Sequence, residues 1–395
     1  MEGKIDYEAG ISNIGNVSDI RQLMYRAACG EPVTIAFLGG SITQGSLASR
    51  PENCYAARVI AWWKQTFPKA DITYLNAGIG GTTSQFGCAR VQHDVLEQEP
   101  DLVIVEFSVN DESTSFYLET YEGLIRKILS YQKQPAVMAV HNVRYDNGAN
   151  AQIQHGKIAR HYQIPAVSMQ SSIYPQVVNG SISGPDITPD DLHPNDYGHK
   201  LVADVIIYDM KKILADDETD AGISSKEHRI KSDRQRTKKK ALPAPLTCNK
   251  YEAAVRYQAM QPAASDSDMI RQISVKGFLK DETSQSGLTD VFKHGWVARE
   301  PGAAIVFEIE ASEIAVQYRK SVKKPALSAR VVLDGRQSES VLLDGNFEQD
   351  WGDCLYIDTL LYHGDCKKHT IEITTIQTDQ EAVIPFYLAS VIASK

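Results

Sequence analysis

Positive charge is scarce in this 395-residue chain. Its 41 Lys and Arg face 50 Asp and Glu, for a net charge of −9. Phosphate backbones and anionic lipid surfaces therefore repel the chain as a whole, and neither nucleic acid nor a membrane is expected as a partner. The one basic run, Lys231 to Lys240, lies in a polar, unpatterned segment and reads as a solvated linker. Long apolar runs are also missing, since none reaches the roughly 18 residues a membrane-spanning helix needs. The N-terminal stretch MEGKIDYEAGISNIGN carries acids where a secretory signal has a basic start, with no apolar segment behind it, so a cytoplasmic protein is expected. Zinc-type spacings are absent: there is no CxxC pair and no HExxH. The six cysteines (Cys29, Cys54, Cys88, Cys248, Cys354 and Cys366) are expected as free thiols, with no metal and no cofactor. A GxxxxGK[ST] phosphate loop and solenoid repeats are missing too.

What is present is an ordinary globular composition, 43% hydrophobic and 23% charged, in a chain long enough for two or three domains. From Val33 to about Leu214, short β-branched runs that end in glycine or polar residues alternate with helical patterning. The runs are VTIAFLGG, DITYLNAGIGG, DLVIVEFSVND, AVMAVHNV and IPAVSM. Nearly continuous apolar strands of this kind predict a parallel sheet covered by helices on both faces. Three segments, CYAARVIAWWKQTF, LETYEGLIRKILSYQ and HKLVADVIIYDMKKILAD, carry the helical pattern. In the last, Leu201, Val202, Val205, Ile206, Met210 and Ile213 share one face. After Leu214 the pattern fails through a charged segment that ends in prolines. Beyond it, short alternating runs with Asp-Gly turns predict a β-sandwich. The expected division is 1–218 for an α/β domain, 219–248 for a charged linker or interdomain crossing, and 249–395 for the β-sandwich.

In an open α/β sheet, ligands gather beyond the carboxyl ends of the strands. The first run ends in Gly39-Gly40-Ser41, the second in Asn76-Ala77-Gly78-Ile79-Gly80-Gly81-Thr82, and the third in Ser108-Val109-Asn110-Asp111. Ahead of the last helix stands PDDLHPNDYGH, with Asp190, Asp191 and His193. A hydroxyl, a base, an acid to orient the base and hydrogen-bond donors for an oxyanion are the inventory of ester hydrolysis. His193 follows Asp190 by three residues, so one turn can aim the carboxylate at one ring nitrogen while the other faces Ser41. Asp191 stays open as the orienting acid, and Asp190 is preferred. The residues also allow blander roles: Ser41 alone could serve a phosphate-binding turn, and His193 a helix start with Pro194 and Asn195.

The four blocks, in this order, resemble the SGNH (GDSL) hydrolase superfamily. The resemblance covers about the first 215 residues and is specific as a set. It implies a flavodoxin-like three-layer α/β/α domain and acyl-ester hydrolysis through an acyl-Ser41 intermediate. Ser41, Asp190 and His193 would be the catalytic residues. The Ser41 amide, the Gly81 amide (with Gly80 as the alternative) and the Asn110 side chain would hold the oxyanion. Two departures stand out: Gly40 where the family often has aspartate, and Ser108 where glycine is common. With its β-half, read as jelly-roll-like and similar to a carbohydrate-binding module, the chain is most similar to bacterial carbohydrate acetylesterases of carbohydrate esterase family 17, the acetylmannan esterases. In them the second domain helps cover the active site. The implied substrate is an acetylated oligosaccharide, with 2-O-acetyl groups on imported mannooligosaccharides expected. The alternatives are an acetylxylan esterase, a general arylesterase, lipase or thioesterase, or a non-catalytic carbohydrate-binding protein on a hydrolase scaffold.

Further substrate contacts are expected from His141 and Tyr145, which follow the fourth run near Arg144. Trp296 and Trp351 fall near glycine and acids in the β-half, where aromatic faces can stack on sugars or pack in a core. Glu106, inside an apolar strand, is expected to have a buried partner such as an arginine.

Overall fold

The computed structural model describes residues 5–220, 241–260, 269–376 and 381–395. The basic run and most of the expected linker lie outside these residues. The chain divides into two compact units. One comprises Met1–Gly87 and Val91–Asn249, the other Cys88–Arg90 and Lys250–Lys395.

The first unit is built on six strands: β1 (Ile11–Asn13), β2 (Val33–Gly39), β3 (Ile72–Gly78), β4 (Leu102–Glu106), β5 (Ala136–His141) and β6 (Ala166–Ser168). Its helices are α1 (Ser18–Ala28), α2 (Ser41–Gln44), α3 (Tyr55–Thr66), α4 (Ser84–Asp94), α5 (Ser115–Ser130), α6 (Gln152–His161), three short turns α7 (Met169–Ser172), α8 (Tyr174–Val178) and α9 (Gly184–Ile187), and α10 (Asp196–Asp220). The strand order is β1-β6-β5-β4-β2-β3. Strands β2 to β6 pair in parallel, as the apolar runs predict. The sheet as a whole is mixed, however, because β1 pairs antiparallel with β6. This edge strand is too short and polar to carry a pattern. It is held partly by side chains, with Asn13 Nδ2 donating to the Ile164 carbonyl at 2.6 Å and Ser12 Oγ to Ala166 at 3.0 Å.

Alternation along the strands divides the core. Ile35, Phe37, Leu102, Ile104, Met138 and Val140 face a cluster shared with α1, α3 and α10, while α4, α5 and α6 cover the other side. All six residues expected on the apolar face of α10 are buried. Trp63 of α3 packs there too, its indole N–H directed at Met210 Sδ 3.3 Å away.

Sheet order matters most for function. The chain runs from β2 to β3 on one side and then returns to β4 on the other, so the direction of winding reverses at β2. Gly39 is in register with Gly78 and with Glu106, so the three following loops leave the sheet at one level. A crevice for a ligand forms at such a reversal.

Residues 243–249 belong to this unit. The buried Glu122 carboxylate accepts from Leu246 N (2.6 Å), Thr247 N (2.7 Å), Thr247 Oγ1 (2.6 Å) and the Tyr162 hydroxyl (2.6 Å). Among the described residues no helix is long and apolar enough to cross a membrane.

In the second unit the described strands pair antiparallel. Its strands are β7 (Val255–Tyr257), β8 (Ile270–Lys276), β9 (Phe278–Lys280), β10 (Trp296–Ala298), β11 (Ala304–Ala311), β12 (Glu313–Lys320), β13 (Ser328–Leu333), β14 (Val341–Leu343), β15 (Cys354–Leu361), β16 (Lys367–Ile376) and β17 (Phe386–Ser394). They form two sheets, β15-β12-β17-β10-β9 with β7 added at β17, and β14-β13-β16-β11-β8. Phe307, Ile309, Val331 and Ile371 from one sheet meet Trp296, Val316, Leu388 and Val391 from the other in one core. The alternation of β11, buried at every second residue, is the sandwich signature expected of the sequence. Asp334 and Gly335 both take positive φ, 51° and 69°, at the turn after β13, the conformation for which an Asp-Gly pair is suited.

Glu122 yields a test of this docking. Burial pushes its carboxyl up, but the four donors outweigh burial and hold it below the ordinary range. Its stabilisation is therefore present above the unfolded carboxyl's pKa and is lost as pH falls through the lower folded value. Glu122→Gln, which turns an amide N–H₂ toward donors, is expected to lower stability by about 1.5–3 kcal/mol at neutral pH and to speed proteolytic cutting within 241–249. The gap in urea midpoint between variant and wild type is expected to be widest at pH 7 and to narrow only as pH falls below the ordinary carboxyl range.

Candidate active site

Ser41 opens α2, directly after β2. Gly40 precedes it outside the helical conformation, at φ −91° and ψ −148°, and Gly45 closes the single turn at φ 101°, a conformation that favours glycine. Gly45 N and Ser46 N both donate to the Ser41 carbonyl at 3.0 Å, which holds the turn tight. As the first residue of the turn, Ser41 has an amide without an intrahelical acceptor.

His193 reaches this hydroxyl from the loop before α10. Its Nδ1 stands 2.7 Å from Asp190 Oδ2 and its Nε2 2.8 Å from Ser41 Oγ. A carboxylate only accepts, so Nδ1 carries the hydrogen and Nε2 is left to accept from the serine hydroxyl. Of the two acids left open by the sequence, Asp190 is the one that meets the ring. Its other oxygen accepts from His193 N (2.7 Å), Leu192 N (3.1 Å) and Thr188 Oγ1 (3.2 Å). Partial burial raises the Asp190 carboxyl, but the bonds from His193 and Leu192 outweigh it and keep it below its usual range, ionised at neutral pH. Asp191 has a different part: it takes φ 61°, and its carbonyl accepts from Tyr145 N at 2.7 Å, pinning the loop.

Two residues of α10 clip the loop after the nucleophile to this same helix. Asp196 accepts from Ser49 N (2.8 Å), Ser49 Oγ (2.6 Å) and Asn53 Nδ2 (2.8 Å). His199 accepts at Nδ1 from Tyr55 N (3.3 Å) and lies with Nε2 3.2 Å from the Ser46 carbonyl. Burial lowers its pKa to about 4, so it stays neutral in this bridging role.

The oxyanion candidates stand on the neighbouring loops. Gly80 N donates to Gln44 Oε1 at 2.6 Å and is already engaged, which leaves Gly81 as the glycine with an available amide. Asn110 closes the other side. A β-carbon at residue 40 would collide with Asn110 Oδ1 and stand 2.9 Å from its Cγ. This accounts for Gly40, since an aspartate there would displace the asparagine. Asn110 Oδ1 is buried without a hydrogen-bond partner, and Nδ2 remains as its donor.

Ser108, the other departure, is explained by Glu106. The carboxylate is fully buried and its partner is not an arginine: Oε1 accepts from Ser108 N at 3.1 Å and Ser108 Oγ at 3.0 Å, and the same hydroxyl lies 3.1 Å from the Asn142 carbonyl. Burial pushes the Glu106 carboxyl up to about 7 against these bonds.

Three of the expected substrate contacts lie elsewhere. His141 is wholly buried, its ring nitrogens have no hydrogen-bond partner, and burial lowers its pKa to about 3; it lies under the strand ends and has no face for a substrate. Tyr145 is buried as well and contributes its backbone to the His193 loop. Trp296 belongs to β10 rather than a loop. It is 1% exposed, stacks on Tyr257 at 5.9 Å and packs edge-on to Phe307, so its faces are not available to a sugar. Trp351 differs: it is 54% exposed, beside Phe347. The residues that the sequence did not single out are Gln44, Asp111, His155 and His199. Gln44 and Asp111 lie within or beside the motif blocks.

Residues 37–201 match the GDSL-like Lipase/Acylhydrolase family. Over 99% of its length the chain is also 50% identical to the solved structure of a two-domain esterase active on acetylated mannans, co-crystallized with mannopentaose, with 98% of that chain covered and a TM-score of 0.89. The chain belongs to this acylhydrolase family. It is a carboxylic ester hydrolase by class. A second structure of a two-domain esterase active on acetylated mannans is 51% identical over 99% of both chains, with a TM-score of 0.88. More distantly, thioesterase 1/protease 1/lysophospholipase L1 of Escherichia coli (strain K12) is 26% identical over 205 residues, 49% of this chain and 90% of that protein.

Two predictions follow the site's packing. Gly40→Ala is expected to displace Asn110 and lower kcat at least tenfold with the fold intact; an unchanged kcat would show that turnover does not need Asn110 in this position. Glu106 tests the buried carboxyl. Its folded pKa lies above the unfolded value, so its contribution is fully present below about pH 4.5 and is lost as pH rises through about 7. Glu106→Gln keeps an acceptor for Ser108 and is expected to flatten that decline in denaturation midpoint between pH 5 and pH 8.

Proposed function

We propose that the chain is a serine-dependent carbohydrate acetylesterase that removes O-acetyl groups, 2-O-acetyl groups foremost, from mannooligosaccharides. The mechanism rests on one observation, the continuous line Asp190–His193–Ser41 with contacts of 2.7 and 2.8 Å. In this reading Ser41 Oγ attacks the acetyl carbonyl carbon as its proton passes to His193 Nε2. Asp190 holds the other ring nitrogen and steadies the imidazolium. The carbonyl oxygen becomes an oxyanion that accepts from the Ser41 amide, the Gly81 amide and Asn110 Nδ2. Collapse breaks the bond to the sugar oxygen, which leaves with the proton from His193. Water, deprotonated by the same nitrogen, then releases acetate and restores Ser41.

The choice of mannan is supported by the 50% identity to an esterase active on acetylated mannans, across both units rather than the catalytic one alone. Of the four residues expected to touch the sugar, Trp351 in the second unit is the one left exposed, with a face available for stacking. A cytoplasmic site of action, on oligosaccharides already imported, belongs to the same proposal and is supported by the six free thiols, three of them exposed.

Acetate release from acetylated mannooligosaccharides, with acetylated xylooligosaccharides and 4-nitrophenyl acetate in parallel, tests the proposal. Release from mannan substrates at the highest kcat/KM is expected. Ser41→Ala should abolish it, and Asn110→Ala should lower kcat about a hundred- to a thousandfold. Preference for the xylan substrates would reassign the sugar, and release that survives Ser41→Ala would overturn the mechanism.

A further inference from the structure

The proposed oxyanion donors come from separate strand ends, and one oxygen can accept from all of them only if each lies about 2.7–3.1 Å away. Strand pairing fixes the level of those ends but not the loops beyond them. β3 and β4 flank β2 on opposite sides, about 10 Å apart at the usual strand spacing. Past the strands, side chains make the connections.

On one side, Gln44 of α2 accepts through Oε1 from Gly80 N at 2.6 Å, and Asn76 Nδ2 donates to the Thr43 carbonyl at 2.8 Å. The loop after β3 is thereby fastened to the turn that carries Ser41. On the other side, Asp111 Oδ1 accepts from Ser84 N at 2.9 Å. Ser84 is the first residue of α4, and the preceding Thr83 makes no side-chain cap. Asp111 thus supplies from another loop the carboxylate that a helix N-terminus favours. Its second oxygen lies 3.0 Å from His155 Nε2, both side chains being fully buried. The His155 ring lies flat on Tyr121, 3.7 Å between centroids and 7° between planes. Ala151 N, one turn before His155, donates to the Ser108 carbonyl at 2.7 Å, so α6 holds the Asn110 loop at two points.

We propose that Gln44 and Asp111 are positioning residues that set the spacing between Ser41, the Gly81 amide and the Asn110 side chain. Gln44 ties the Gly81 loop to the nucleophile turn. Asp111, steadied by His155, ties the same loop to its own neighbour Asn110. The inference rests on the reading of Gly81 and Asn110 as oxyanion donors. A displacement on the order of 1 Å in such a site costs about a hundredfold in rate, so each tie matters to turnover more than to binding.

Four variants of the full chain test this: Gln44→Ala, Gln44→Glu, Asp111→Ala and Asp111→Asn. With 4-nitrophenyl acetate, each alanine variant is expected to lower kcat ten- to a hundredfold with KM within twofold of wild type. Gln44→Glu and Asp111→Asn keep an oxygen acceptor and should return kcat to within threefold. Hydrogen exchange at the Gly80 to Ser84 amides reads the same ties without turnover and should accelerate at least tenfold in both alanine variants. Gln44 is exposed, so its variants fold even if Asp111→Ala does not. A kcat within twofold of wild type in Gln44→Ala, or unchanged exchange at Gly80 to Ser84, overturns the proposal. If the exchange follows expectation while wild type shows no Ser41-dependent hydrolysis, the ties stand and the ester-hydrolysis reading falls.

Discussion

The site depends on one imidazole held between two oxygens. His193 can accept from Ser41 only while its other nitrogen keeps a hydrogen, and the Asp190 carboxylate 2.7 Å away enforces that tautomer. Much of the surrounding structure serves this placement. Asp191 takes a left-handed conformation to turn the loop, Tyr145 N pins its carbonyl, and Asp196 and His199 lash the loop after Ser41 to the helix that begins just past His193. Nucleophile and base lie 152 residues apart in the chain, and α10 is what makes them neighbours.

Beneath the strand ends lies an unusual density of buried polar groups. Glu106, Asp111, His141 and His155 are all nearly or wholly inaccessible. Charges in such a setting are costly unless satisfied. Asp111 is satisfied by Ser84 N and His155, whereas Glu106 is only half satisfied and has its carboxyl pushed up to about 7. The rigidity needed above is obtained by accepting strain of this kind below, where loops without sheet pairing must be held still.

What the sequence revealed depended on range. The apolar runs of β2, β4 and β5 and the one-faced pattern of α10 are local signals and are legible. Motif residues at strand ends were legible because parallel pairing brings those ends to one level. Side-chain direction was not. His141 was expected beyond its strand as Ser41 is, yet it is the last residue of β5 and its ring is buried in the core. Trp296 sits among glycine and charged residues like a loop residue, but pairing with Lys280 and Leu388 on two neighbours makes it central and buried. The ties made by Gln44 and Asp111 span 36 and 27 residues and involve backbone amides, which leave no mark in a pattern of side chains. The edge strand β1 escaped for the same reason, since much of what holds it comes from residues beyond 150.

Everything in the proposed reaction turns on acylation of Ser41. The most direct measurement is the mass of peptides from enzyme quenched in acid during turnover of an acetylated mannooligosaccharide. One added acetyl group is expected on the peptide carrying Ser41, and none on that peptide from Ser41→Ala. Acetate release with that peptide unmodified at every quench time, or an acetyl group on another residue, would contradict it.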